Sequence, residues 1–398
     1  MVKEYVWPIM RTSLEDYYEM LLRCIKCGLC KHLWPANTYS WKFGYQCPSG
    51  EEFLFEQYYP TGRMELAIAL IEEKIGIDDD FRHAVFTCTS CGSCEATAEM
   101  ACTLTPLKII EELKNKTVEK TGPLSAHANL IDYCKSRYNI YNEPHELRFI
   151  WLPDDLNIPR KAEIMYYVGD TACYRRPEIA IATIKVLKKL GINFGILGEK
   201  ERSCGEVFFR TGNVEFGREL LKYNIEYLNE LGVKTVIFSD PHCYKVFSDA
   251  EKYDLNRNFE CLSVLEIIEP LLEGAQIRKL EKKLTYHDPC QLGRGMSIYE
   301  PPRNILKAIP GVELVEMPRN RRLSFCCGAG GGVIFAYPEF AAKTASRRLE
   351  EVTDPINGAG VNSVTTHCPL CKHNLLRVAS AFNVEVKDVM EIVLEALN

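Results

Sequence analysis

Residues 324–332 read SFCCGAGGG, two adjacent thiols followed by four glycines within five residues. Adjacent cysteines do not both bind one small tetrahedral ion comfortably, but they can reach different irons of a single larger cluster. Glycine lacks a Cβ and tolerates positive φ, so it lets a backbone approach such a group and turn its amides toward it. Gly328, Gly330 and Gly331 are the candidates for that contact. A nucleotide-loop reading fails, because GAGGGV lacks the third glycine of G-x-G-x-x-G and follows two cysteines. A plain turn is compatible with cluster binding.

The residues around this stretch set it in a repeat. From about residue 161 the pattern alternates strands with helices, which points to layered α/β architecture with largely parallel sheets. EIMYYVGD (163–170) is an expected strand, PEIAIATIKVLKKLG (177–191) a helix and KTVIFSD (234–240) a strand. KLTYHD (283–288), PRNILKAIPG (302–311) and VNSVTTH (361–367) repeat that order, the mark of a tandem duplication. In the second copy Cys290 follows a strand, Cys326 and Cys327 come 36 residues on, and Cys368 and Cys371 follow the next buried strand. Loops after the carboxyl ends of parallel strands carry the sites of open α/β sheets, so these five thiols are expected to line one pocket. The first copy has Cys173, but Ser203-Cys204-Gly205 stands where the second has its double cysteine, and Asp240-Pro-His-Cys243 stands for C-x-x-C.

The N-terminal part carries a second kind of repeat. Residues 24–30 read CIKCGLC and residues 88–94 read CTSCGSC, each with a distant fourth cysteine: Cys47 before Pro48, and Cys102 shortly before Pro106. Structural zinc is the competing reading, but zinc sites favour two C-x2-C pairs over two triplets with remote fourths. The stretch 62–75 is an expected helix with an apolar stripe and 105–120 a second, ending before Gly122-Pro123. Residues 121–160, punctuated by Pro144, Pro153 and Pro159, read as a surface linker with one inert thiol, Cys134.

These motifs resemble known families. The triplets are similar to the bacterial ferredoxin run C-x2-C-x2-C-x3-C-P, in which the fourth cysteine crosses to the other [4Fe–4S] cluster. By that resemblance Cys24, Cys27, Cys30 and Cys102 bind one cubane, and Cys88, Cys91, Cys94 and Cys47 the other. The spacings depart from it: sixteen residues separate Cys30 from Cys47 and seven separate Cys94 from Cys102. The C...CCG...CxxC signature resembles the cysteine-rich CCG domains of heterodisulfide reductases and succinate:quinone reductase type E. It is similar also to the iron–sulfur subunits of glycolate, lactate and anaerobic glycerol-3-phosphate dehydrogenases. A ferredoxin-like unit fused to two CCG domains is the layout of the heterodisulfide reductase D-type subunit.

The resemblance implies an α+β ferredoxin-like, mostly helical two-cluster domain (1–120), the linker (121–160), a degenerate α/β CCG domain (161–280) and a complete one (281–398). It implies that Cys290, Cys326, Cys327, Cys368 and Cys371 hold a non-cubane [4Fe–4S] cluster and form the catalytic site. Cys173, Cys204 and Cys243 could hold a further cubane with Asp240 or His242 as fourth ligand, a zinc, or nothing. The implied function is an oxidoreductase subunit that carries electrons through two cubanes to thiol/disulfide chemistry at the CCG cluster. The alternative is an electron-transfer subunit of a flavin-dependent 2-hydroxy acid or glycerol-3-phosphate dehydrogenase, delivering to a carrier or quinone pool. Either reading implies a flavoprotein or cytochrome b partner, with a thiol/disulfide small molecule or an electron carrier as the other reactant. Arg175, Arg210 and Arg294 near the motif loops are candidates to stabilise a thiolate, with solvated surface arginines as the competing reading. His287 and His367, just before cluster cysteines, are candidates to donate to sulfide.

Composition agrees. Eighteen cysteines without an export signal point to metal or redox work rather than structural disulfides. A net charge of −6 with no long basic run argues against a nucleic-acid partner. The longest apolar runs, such as LAIALI at 66–71, fall far short of the roughly 20 residues that span a bilayer. The expected location is cytoplasmic, with the inner membrane face open through a partner.

Overall fold

The duplication expected from sequence is visible strand by strand. The computed structural model describes residues 13–33, 41–98, 102, 104–153 and 156–397; residues 1–12, part of the stretch read as lacking an export signal, lie outside the described residues. β1 (Ile164–Tyr167), β2 (Gly195–Ile196), β3 (Thr235–Phe238) and β4 (Glu260–Ser263) form one sheet, in the order β2-β1-β3-β4. β5 (Lys282–His287), β6 (Val312–Leu314), β7 (Ser363–Thr366) and β8 (Glu385–Asp388) form a second, in the order β6-β5-β7-β8. Every pairing is parallel, with Tyr167 opposite Phe238 in the first sheet and His287 opposite Thr366 in the second. Helices cover both faces, which is why β3 reads TVIF and β7 is buried throughout instead of alternating.

The expected strands at 163–170, 234–240 and 361–367 end early in the structure. Their last residues leave the ladder to build loops: Gly169 turns at φ +81°, and Asp240 caps the next helix. Helix Pro177–Lys189 of the first half packs on Val389–Leu397 at the end of the second, and Pro301–Ala308 of the second packs on Val264–Ile268 of the first. This exchange is reciprocal, since each pair joins the helix after one half's central strand to the helix after the other half's outer strand. A single apolar core consequently runs through both halves, from Met165, Ile237 and Leu265 to Leu284, Leu306 and Val393.

The N-terminal part is a set of helices around Met64, Leu70, Phe86, Ile109 and Leu113. Among the described residues its only β pairing is an antiparallel bridge between His32 and Tyr45. The helix expected over 62–75 spans Pro60–Ile71 and stops before Glu73, which adopts φ +56°. Pro106–Thr121 matches its expectation and ends at Gly122, φ +74°.

Residues 121–160 depart from the linker expectation. They contain the helix Ser125–Arg137, with His127, Leu130 and Cys134 buried. The segment is tied into the first half by Arg148, fully buried between Asp170 (2.8 Å) and Glu201 (2.7 Å). Its buried stripe includes a histidine and a cysteine, so a search for apolar periodicity passes over it.

Candidate metal centre

Cys368 and Cys371 are placed by a proline. Pro369 stands at the first position of helix Pro369–Leu376, where its missing N–H costs nothing, and this makes Cys368 the N-cap. The Cys371 amide donates to the Cys368 sulfur at 3.3 Å. Asp240-Pro241 repeats the device after β3, with the Asp240 carboxylate accepting from the His242 amide. Asp240 is therefore the first-half counterpart of Cys368, and Cys243 of Cys371.

The five thiols of the second half converge. The Cys327 and Cys371 sulfurs and a His287 ring nitrogen lie within 4.8 Å of one another. The Cys326 thiol contacts Cys290, Cys327 and, from the N-terminal part, Cys91. The scaffold around them is dense. Arg303 clamps Asp288 through two bonds (2.7 and 2.8 Å) at the end of β5, and Asn374 donates to the Cys327 carbonyl at 2.7 Å. The Gly328 amide donates to the Cys326 sulfur at 3.3 Å. His287 accepts at Nδ1 from Arg348 Nε (3.0 Å), which leaves the proton on Nε2. Nε2 is buried with no hydrogen-bond partner among the described residues, in a ring that stands beside the Cys327 and Cys371 sulfurs. Contacts from Cys326, Cys371 and His287 hold the Cys327 thiol well below its usual range, while contact from Cys290 and Cys327 pushes Cys326 up.

Charge tests whether the set fits an iron–sulfur group. Three cations lie beside the cysteines with no carboxylate ion pair among the described residues. Arg63 is fully buried and bonds only to the Ala84 and Tyr58 carbonyls and the Ser49 and Thr87 hydroxyls, next to Cys47. Lys114 donates to the Cys88 carbonyl (2.8 Å), Ser90 Oγ and the Arg210 carbonyl, and burial lowers its pKa. Arg294 donates to the carbonyls of Cys91 (2.8 Å), Ser324 (2.8 Å) and Arg322, and its buried Nη2 has no partner. Buried cations left without counter-ions are costly. An anionic cluster on the neighbouring thiolates supplies the missing charge, and the all-sulfur donor set suits iron. The residues fit.

The two cysteine-rich parts meet at this point. A Cβ on Gly331 (φ +64°) would stand 2.6 Å from the Cys88 carbonyl oxygen, and one on Gly330 would stand 2.7 Å from the Thr89 carbonyl oxygen. These glycines admit the backbone of the second triplet against the CCG loop. Within the triplets, Cys94 is raised by burial and then by Cys91, Cys88, Cys47 and Cys30. Cys30 is pushed up to about 12 by burial and by Cys47, Cys24 and Cys27. Cys47 thus sits among both triplets. Cys27 is exposed, whereas Cys91 is in contact with Cys326.

The first half is different. Cys204 and Cys243 approach to 3.1 Å, sulfur to sulfur, while Cys173 is buried against Arg148, Glu201 and Asp170. Asp240 and His242 group with the second half: their ligand atoms and the Cys368 sulfur lie within 4.8 Å of one another. A narrow cleft of about 50 Å³ lies between the halves, lined by Cys204, Cys243 and Asp240 on one side and Gly330, Gly331 and Leu370 on the other. Of the remaining candidates, Arg175 pairs with Glu143 (2.8 Å) and Arg210 with Glu111 and Glu206, so both are already neutralised. His367 Nδ1 lies 3.3 Å from Asp388.

The cysteine-rich domain model matches residues 164–248 and 284–376, and the 4Fe-4S dicluster domain model matches 20–97. The D-type subunit of the dihydromethanophenazine:CoB–CoM heterodisulfide reductase of Methanosarcina acetivorans is 33% identical, over 94% of this chain and 93% of that one. The chain belongs to this family of cysteine-rich iron–sulfur oxidoreductase subunits. Members with other partners are also similar. The EtfAB:quinone oxidoreductase of Syntrophomonas wolfei is 27% identical over 94% of this chain and 58% of its own. The B-type subunit of the fumarate reductase (CoM/CoB) of Methanothermobacter marburgensis is 27% identical over 96% of this chain and 74% of its own. As a member, this iron–sulfur subunit is an oxidoreductase component whose dicluster domain transfers electrons. Among the described residues no helix is long and apolar enough to cross a membrane.

Sequence reading found the cysteines of this iron–sulfur subunit and Arg294, and missed Arg63, Lys114 and Arg348. Lys114 reads as one more helical lysine; only the packing of three segments on it reveals its burial. Cys134 and Cys261, both buried and both raised by burial, are the two cysteines outside the motifs.

Proposed function

We propose that this chain receives electrons from a flavoprotein or cytochrome b partner on the cytoplasmic side and uses them to reduce a small disulfide at the second cysteine-rich half. Cys24, Cys27, Cys30 and Cys102 would hold one cubane, and Cys88, Cys91, Cys94 and Cys47 the other. Cys290, Cys326, Cys327, Cys368 and Cys371 would hold a non-cubane [4Fe–4S] group. Such groups supply one-electron transfer, which splits the two-electron cleavage of an S–S bond into steps. The observation that carries the reading is the contact of Cys91 with Cys326, which joins the dicluster domain to the five-thiol set without an intervening element. The protein's own part is electrostatic. Arg294 offsets negative charge where the two sets meet, and the His287 ring, fixed by Arg348, lies beside the Cys327 and Cys371 sulfurs. The names of the heterodisulfide reductase relatives support a disulfide as the terminal reactant, while that of the quinone oxidoreductase supports a conduit.

The test is Cys327→Ser in anaerobically purified protein. It should abolish the paramagnetic signal of the terminal site and any disulfide reduction, and leave the two ferredoxin-type signals unchanged. Cys204→Ser should leave all three signals in place. Full disulfide reduction by Cys327→Ser would overturn the proposal, and loss of the terminal signal with unaltered electron delivery to an acceptor would favour the conduit.

A further inference from the structure

The geometry points to a redox-active dithiol, Cys204 with Cys243, in the half of the molecule that lost its complete ligand set. Three observations carry it. The two sulfurs are 3.1 Å apart, so closing to a disulfide of about 2.0 Å requires only a small shift of either side chain. Both residues line the cleft between the halves, and they differ in access: Cys243 is buried, whereas Cys204 is partly open. Gly169 makes room for the pair, since a Cβ there would stand 3.1 Å from the Cys243 sulfur.

Charge separates this site from the second half. The cation beside Cys173, Arg148, is already matched by Asp170 and Glu201, and Asp170, Glu206 and Asp240 also line the cleft. Burial, then contact with Cys204, then Asp240 and Asp170 raise the Cys243 thiol. An anionic iron–sulfur group would add negative charge to a wall whose three carboxylates face, among the described lining residues, one histidine, His242, and no arginine or lysine. A dithiol and a disulfide are both neutral, so their interconversion brings no charge into the site.

The chemistry is thiol–disulfide exchange with a small disulfide R–S–S–R′ in the cleft. Cys204, the accessible sulfur, loses its proton and attacks one sulfur of R–S–S–R′; its S–S bond breaks and R′–SH leaves with that proton. Cys243 then attacks the mixed disulfide, R–SH leaves with the Cys243 proton, and a Cys204–Cys243 disulfide remains. Two electrons and two protons, the latter from the open cleft, restore the dithiol. In turnover the electrons come from the iron–sulfur groups of the same chain, and to that extent the inference rests on the proposed function.

The test supplies both reactants from outside. Anaerobic holoprotein is treated with hydroxyethyl disulfide or with dithiothreitol, quenched in acid, alkylated, digested and analysed by mass spectrometry. The disulfide-treated sample should give a crosslinked peptide pair joining Cys204 to Cys243, two hydrogens lighter than the free peptides, with Cys173 alkylated as a free thiol. Dithiothreitol should return both cysteines to the alkylated form, and Cys204→Ser should give no crosslink. Iron and zinc are measured on the same samples. Alkylation of both cysteines under every condition, or loss of bound metal in the Cys204→Ser, Cys243→Ser double variant, would overturn the inference. Because added reagents drive the exchange, a crosslink in protein lacking the terminal paramagnetic signal would sink the proposed function and leave the dithiol standing.

Discussion

At Arg294 one guanidinium joins the dicluster backbone to the CCG loop, bonding the carbonyls of Cys91 and Ser324 while Nη2 stays buried without a partner among the described residues. Its pKa is raised by Cys91, Cys290 and Cys326 against the opposing effect of burial. A cation held this close to sulfur favours the more negative, reduced state of anything bound there. Arg294→Gln keeps hydrogen-bonding capacity and removes the charge. The midpoint potential of the site at Cys326 should then fall by about 60 mV or more, the equivalent of a tenfold change for one electron. A redox titration followed by paramagnetic resonance measures it, and an unchanged potential would reduce Arg294 to a structural brace.

Helix Ser125–Arg137 belongs to the next scale, because its one buried histidine holds the glycine loop. His127 Nε2 lies 3.2 Å from the Gly332 carbonyl and Nδ1 is buried without a partner among the described residues, so the ring bonds as a neutral donor. Burial brings its pKa down to about 4. A depressed value makes the unfolded chain the better proton binder between about pH 6.5 and 4, so stability is complete above 6.5 and declines as pH falls. The loss should approach about 1.4 kcal/mol per pH unit at the steepest. Thermal unfolding at pH 7.0, 6.0 and 5.0 should show that decline, and His127→Gln, which retains a donor but cannot ionise, should flatten it. This helix also shows where sequence reading ended. The cysteine spacings and strand–helix alternation gave both halves and the strand-end positions of Cys290, Cys326, Cys327, Cys368 and Cys371, because those follow from local order. The helix went unread because its buried stripe is His127, Leu130 and Cys134. The approach of Asp240 and His242 to Cys368 depends on how two sheets pack, and no local pattern encodes that.

Across the whole molecule the cysteine sets form a graded series: Cys27 is exposed, Cys91 touches Cys326, and Cys368 is fully enclosed beside His242. Under the proposed function such a gradient would give the molecule a direction, the outer set open to a protein-sized donor and the inner set shielded from it. Removing the outer set should separate these roles. Cys27→Ala should lower iron by about four atoms per chain, the content of one cubane. Dithionite, small enough to reach inner sites, should still develop the terminal paramagnetic signal in full. Reduced flavodoxin, which must deliver at the surface, should reduce that terminal site at least tenfold more slowly than in the unmodified protein, as read by rapid-freeze resonance spectroscopy. Equal rates with flavodoxin would mean that electrons enter elsewhere, and the exposed triplet would then lie off the path.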